Sequence, residues 1–121
     1  MRCKSVFPAL FIAILLAGQT KADEPQILSA TAQKEGLGWR IEVTVSHNDT
    51  GWDHFVDFWS IETRDGTEIE RRTLLHPHPE EQPLTRSLSG VSVPDGIRKV
   101  FVRAHCRRDG WSKDRFMLKL K

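Results

Sequence analysis

The five histidines and Cys106 of this 121-residue chain fall at turns or at the ends of apolar runs. Loops from separate segments can bring such side chains together around one ion. Imidazole and thiolate are donors that suit iron, copper and zinc. The candidate metal ligands are His47, His54, His76, His78 and Cys106.

Two of these imidazoles flank one turn, within the stretch HNDTGWDHFVDFW at positions 47–59. Asp49, Asp53 and Asp57 are close enough in sequence to orient the imidazoles by accepting a ring N–H. Trp52 lies in this turn and Trp111 in a later loop. Either tryptophan could cover the end of the fold or form a contact surface for another protein, since Trp is enriched at interfaces. A polar turn with a histidine bonded to an aspartate is the alternative.

The stretch HPHP at positions 76–79 has an extended backbone, because each proline fixes its own φ and restricts the residue before it. His76 and His78 then point the same way, which suits a clamp of two imidazoles. With Glu80 and Glu81, the same segment could instead form an acidic contact loop.

Cys106 ends the alternating run VFVRAHC, and it shares the inward side with Val100, Val102 and Ala104. His105 points to the other side, so the two residues are not expected to bind one ion together. Cys106 could equally be a buried inert thiol or form a disulfide with another chain.

Alternating apolar residues and Gly-, Asn- and Asp-rich turns predict an all-β fold, an immunoglobulin-like antiparallel sandwich of seven strands. In such a sandwich the loops 48–54, 76–83 and 107–113 gather at one end, and all the candidate ligands lie in or beside them. The strands are expected near 26–34, 38–47, 55–63, 67–75, 84–91, 97–106 and 114–120.

Residues 1–22 have the pattern of a secretory signal peptide: a positive start, a short apolar run and small residues before the expected cleavage after Ala22. Residues 23–121 then form one domain, secreted or periplasmic, with no membrane segment; an uncleaved anchor is the alternative. Losing Arg2, Lys4 and Lys21 leaves 15 basic residues of 18 against 16 acidic ones, and the formal charge moves from +2 to −1. This balance gives no indication of a nucleic-acid partner.

The stretch HNDTGWDHFVDFWSIETRDG resembles the iron-site segment of the desulfoferrodoxin/superoxide reductase family, and VRAHCRRDGWSK resembles its closing segment. The resemblance implies a seven-stranded immunoglobulin-like domain with a mononuclear iron bound by four His and one Cys. In this chain the resemblance assigns the role of iron ligand to His47, His54 and Cys106. Asp109 stands where the family has a closing His, and no His precedes His47 in the mature chain.

GWDHFVDFW and LLHPHPEEQPLTRSLSGV are also similar to blocks in a group of small secreted proteobacterial proteins that have no assigned activity. This second resemblance implies a compartment outside the cytoplasm.

The sequence therefore predicts a periplasmic metal-binding domain, with iron as the first candidate ion and copper or zinc as others. If the bound ion is iron, the implied partner is a small redox substrate such as superoxide. The alternative is a metal-free module that binds another periplasmic protein through the same end. Whether the chain is an enzyme is left open, but no Gly-x-Ser-x-Gly motif supports a hydrolase.

Overall fold

The computed structural model describes residues 24–121. The expected signal peptide, residues 1–22, lies outside them. Within the described part every regular element is a strand, and none of it is a helix that could cross a membrane. The strands are β1 (Gln26–Glu35), β2 (Gly38–Ser46), β3 (Val56–Glu62), β4 (Glu68–Thr73), β5 (Leu84–Val91), β6 (Lys99–Cys106), β7 (Gly110–Trp111) and β8 (Phe116–Lys119).

The strands form two antiparallel sheets, which confirms the expected sandwich. One sheet has the order β1-β2-β5, and the other has the order β4-β3-β6-β7, with β8 also paired to β6. Strand β7 pairs with the last two residues of β6, and β8 pairs with its first four. The seven expected strands are all present, and β7 is a short eighth strand.

The core lies between the two sheets and follows the alternation of the sequence. Inward residues of β2, β3 and β6 are almost fully buried, while their neighbours along each strand face outward. Trp59 is among the completely buried side chains. The central inward residues are Ile41, Val43, Val45, Trp59, Ile61, Val100, Val102 and Ala104.

Three loops meet at one end of the sandwich, as expected from the topology. The backbone N–H of His78 donates to Asp49 Oδ2 at 2.9 Å, which joins the loop after β4 to the loop after β2. The backbone N–H of Arg107 donates to the carbonyl of Phe55 at 2.9 Å. The fold therefore brings residues from distant parts of the sequence to one place.

Candidate metal centre

Four side chains with metal-binding atoms converge at this end. They are His47 after β2, His54 before β3, Cys106 at the end of β6 and Asp109 in the turn between β6 and β7. The ligand atoms that they offer all lie within 4.8 Å of one another. Donors of a tetrahedral zinc site lie roughly 3.3–3.8 Å apart, as bonds of about 2.0–2.3 Å require. An inward movement of about 1 Å at the longest pair would close the group around an ion.

His47 is buried, and its two ring nitrogens have different surroundings. Nδ1 lies 2.6 Å from Asp49 Oδ1, so the ring donates its Nδ1 proton to this carboxylate. Nε2 is also buried and has no hydrogen-bond partner among residues 24–121. A proton on Nδ1 leaves Nε2 with a lone pair, which is the form of histidine that binds a metal.

Asp49 holds the loop ends in place around this imidazole. Besides His47, it accepts hydrogen bonds from the backbone N–H of Val56 at 3.2 Å and of His78 at 2.9 Å. Burial raises the pKa of Asp49, but the hydrogen bonds from His47 and from these backbone groups outweigh it and leave the pKa below its usual value. Asp49 is therefore a carboxylate that positions His47.

His54 lies against His47, with ring centroids 4.8 Å apart and the rings edge to face. Its Nδ1 lies 3.1 Å from Thr50 Oγ1, and its Nε2 lies 3.2 Å from Asp109 Oδ2. His54 Nε2 also lies 3.4 Å from Arg108 Nη2, so this nitrogen either donates to the Asp109 carboxylate or accepts from the guanidinium. A metal ion between His54 and Asp109 would take the place of either hydrogen bond and bind the Nε2 lone pair.

Cys106 and Asp109 are held together by the tight turn between them. The backbone N–H of Asp109 donates to Cys106 Sγ at 3.4 Å. Burial raises the pKa of the Cys106 thiol, although this backbone hydrogen bond acts in the opposite direction. Burial also raises the pKa of Asp109, but its contacts with Arg108 and His54 together outweigh that effect, and the pKa lies below its usual value.

Two of the five expected ligands lie outside the group. His76 is exposed, and His78 is buried beside Arg86, with Arg86 Nη2 3.5 Å from its Nε2. The two rings do pack together, at a centroid distance of 4.5 Å. In this structure the backbone N–H of His78 donates to Asp49, and the rings of His76 and His78 lie apart from the group that contains His47.

The remaining candidates occupy other positions. Asp53 is exposed at the tip of its loop, and Asp57 accepts from His105 Nδ1 at 2.7 Å on the outer face of the larger sheet. Trp52 is 64% exposed, with its ring 5.8 Å from that of Phe55. Trp111 is half-buried on the outer face. The two tryptophans therefore belong to different surfaces.

Sequence reasoning gave too little weight to two residues. Asp49 follows His47 by two positions, and Asp109 follows Cys106 by three. Their short separation from the candidate ligands was the available signal. It was weak, because turns are rich in aspartate for local hydrogen-bonding reasons.

Comparison with known proteins gives one relative and no family. A protein of Halomicrobium mukohataei described as a "Putative lipoprotein" is 39% identical to this chain over 90 residues. The match covers 73% of this chain and 43% of that protein, so the chain spans less than half the length of this relative. No family model matches the chain, and no solved structure matches it. These comparisons give no support to the resemblances to superoxide reductases or to proteobacterial proteins.

Proposed function

We propose that this chain is an extracytoplasmic domain that binds one transition-metal ion through His47, His54, Cys106 and Asp109. The observation that carries the proposal is the buried Nε2 of His47, which has no partner among residues 24–121 and belongs to a side chain fixed by Asp49. A buried polar atom without a partner costs free energy, typically about 1–3 kcal/mol. A bound ion would remove this cost.

The donor set limits the kind of ion. Two imidazoles and one thiol favour iron, copper or zinc over magnesium or calcium, which prefer oxygen ligands. Four protein donors suffice for a tetrahedral zinc site, whereas iron would keep further positions for a small molecule. Reduction of superoxide at an iron-loaded site is the activity that the family resemblance implies, and an iron-loaded protein should be assayed for it.

The location outside the cytoplasm rests on two sequence observations. Residues 1–22 have the pattern of a signal peptide, and residues 23–121 would be the mature domain. The relative from Halomicrobium mukohataei carries the description of a lipoprotein. Mass spectrometry of the secreted or periplasmic protein would give the mature amino terminus; an intact Met1 would contradict the cleavage.

Elemental analysis of the mature protein, purified without a histidine tag, tests the metal site. We expect about one iron, copper or zinc per chain. His54→Ala and Cys106→Ser should lose the ion, whereas His76→Ala should keep it because His76 lies outside the group. In a cobalt-substituted protein, a charge-transfer band from thiolate to metal should be present and should disappear in Cys106→Ser. A folded protein that takes up no metal, even after anaerobic reconstitution, would contradict the proposal.

A metal-free contact module is the second candidate. The observation that favours it is the exposure of Trp52 and Leu75, two large apolar side chains on loops at the same end. If the chain is a contact module, Trp52→Ala should abolish binding to another extracytoplasmic protein. His54→Ala should leave that binding intact.

A further inference from the structure

The outer face of the larger sheet carries a second group of charged side chains, separate from the candidate metal centre. Glu62 is buried there, with only 2% of its side chain exposed. Arg103 Nε donates to Glu62 Oε2 at 2.6 Å, and Arg115 Nη1 donates to Oε1 at 3.2 Å. The hydroxyl of Ser60 donates to the same carboxylate at 3.2 Å. One buried carboxylate thus holds two guanidinium groups side by side.

Aromatic rings hold the same guanidinium groups from another side. The guanidinium of Arg103 lies 3.9 Å from the centroid of the Trp111 ring, and that of Arg115 lies 4.4 Å from the centroid of Phe101. Contact with a carboxylate and an aromatic ring together restricts a flexible arginine to one orientation. Both arginine side chains are still 29% exposed.

These arginines line a surface cavity of about 190 Å³, and Arg64 completes its basic wall. This volume is several times the ~30 Å³ that one water molecule occupies in the liquid. Arg64 stacks on Phe101 at 5.7 Å, and its guanidinium makes no hydrogen bond within residues 24–121. Of the N–H donors of the Arg103 guanidinium, only Nε makes a hydrogen bond within the described part. Arg115 also donates to the backbone carbonyls of Thr63 and Arg64, at 3.1 and 2.9 Å. The N–H donors that remain available at the cavity therefore come mainly from Arg64 and Arg103.

Charge also favours an anion at this place. The cavity has three guanidinium groups against two carboxylates, Glu62 and Asp65, and Asp65 is bound by Thr63 and Thr67. The adjoining hollow shares Arg64 and adds Arg98 and Lys99. This excess of positive charge lies on a mature chain whose formal charge is −1.

Stability alone is a weak explanation for this arrangement. A buried ion pair is often no more stabilising than apolar side chains of similar size, because removing charges from water is costly. Arginines whose remaining donors are oriented by a carboxylate behind them match the geometry of carboxylate, sulfate and phosphate groups. We propose that Arg64, Arg103 and Arg115 form a binding site for the oxyanion group of a small molecule or glycan.

Titration of the ¹⁵N-labelled mature protein with inorganic phosphate, sulfate and acetate tests the site. Sodium chloride at matched ionic strength is the reference. We expect saturable shifts of the Nε–Hε signals of Arg103 and Arg115 with at least one of the three anions. The anion with the tightest binding indicates which kind of oxyanion the natural ligand carries.

Two variants and one control decide the outcome. Arg64→Gln should weaken binding about 5-fold or more without affecting folding, because the Arg64 guanidinium has no hydrogen bond to lose and the backbone carbonyl that accepts from Arg115 is kept. Arg103→Gln should weaken it further. Arg40→Gln, which changes a partly exposed arginine on β2 in the other sheet, should have no effect. Shifts that only follow ionic strength, or that persist unchanged in Arg64→Gln, would overturn the proposal.

Discussion

Asp49 Oδ1 lies 2.6 Å from His47 Nδ1, and both side chains are at most 1% exposed. In this pair the carboxylate determines which nitrogen of the imidazole carries the proton. The other nitrogen, Nε2, is left buried without a partner among residues 24–121, in a side chain that belongs to the group with His54, Cys106 and Asp109. The chemistry proposed for this end of the domain depends on that one hydrogen bond.

Asp49→Asn tests the importance of this pair for stability. The change removes the charge that accepts hydrogen bonds from His47 and from two backbone groups, in a place without water to replace it. We expect the free energy of unfolding to fall by about 2–4 kcal/mol in urea titrations, since hydrogen bonds to charged groups contribute roughly 1.5–3 kcal/mol each. Metal affinity should fall about 10–100-fold, as for other carboxylates that orient a histidine ligand. Asp53→Asn, on the exposed tip of the same loop, should change stability by less than about 0.5 kcal/mol.

Arg108→Gln should increase metal affinity. The Arg108 guanidinium lies 3.4 Å from both His54 Nε2 and Asp109 Oδ1, and its side chain is 58% exposed. A bound cation would repel this charge and compete with it for Asp109. In a mostly aqueous setting the repulsion is on the order of 1 kcal/mol, so we expect affinity to rise about 3- to 10-fold. Competition titrations with a chelator measure this change. Equal affinity in both proteins would show that Arg108 does not oppose the ion, while leaving the metal site itself intact.

Gly110→Ala should disturb the turn that holds Cys106 and Asp109. Gly110 has a φ of +86°, and an added Cβ would have no atom within 4 Å, so the cost is in the backbone alone. We expect a loss of about 1–2 kcal/mol in the free energy of unfolding and weaker metal binding. Gly96→Ala is a matched control, because Gly96 has a φ of +88° and equally open surroundings. It should lose similar stability and keep its metal affinity; equal metal binding in both variants would contradict a role for the turn.

The stability of the fold should fall in mild acid partly because of His78. Burial lowers the pKa of His78 below its usual value, and the charges of His76 and Arg86 act in the same direction. The unfolded chain takes up a proton on this ring near pH 6.5, whereas the folded chain does so only at lower pH. The contribution of His78 to the free energy of unfolding is therefore fully present above about pH 6.5. It is lost as the pH falls through the pKa that His78 has in the folded chain.

Urea titrations at about pH 7.5 and about pH 5 measure this effect. The difference in the free energy of unfolding between the two pH values should be smaller in His78→Gln than in the natural protein. Histidines elsewhere contribute equally to both proteins and cancel in the comparison. An identical pH dependence would rule out His78 as a source of the acid sensitivity.

The sequence predicted the strands well because their pattern is local. The alternation through Val100, Val102 and Ala104 requires only that one face of a strand be buried, and turn residues separate the strands. Once the strand order is assumed, the convergence of three loops at one end follows. The two-residue strand β7 was missed, because pairing with the end of β6 is a tertiary event without a periodic signal.

The details of the site depended on side-chain directions that the sequence does not contain. The alternation of side chains along β6 predicted that Cys106 points inward, and Cys106 is buried. For His76 and His78 there was no strand to impose parity, and the hydrogen bond from the backbone of His78 to Asp49 decided the orientation instead. Asp57, which the sequence offered as a partner for His47 or His54, lies beside His105 in the structure, next to a register irregularity between Val56 and Phe58.

His47 directly follows a strand of the three-stranded sheet, whereas Cys106 ends a strand of the other sheet. An ion bound to both would be a cross-link between the two layers, at the second and sixth of the eight strands. In antibody domains a disulfide joins the corresponding pair of strands. Closing a loop of roughly 60 residues in this way would restrict the unfolded chain by about 4 kcal/mol. Unlike a disulfide, this metal cross-link could be removed by a chelator. The free energy of unfolding of the domain would then depend on the concentration of metal around it.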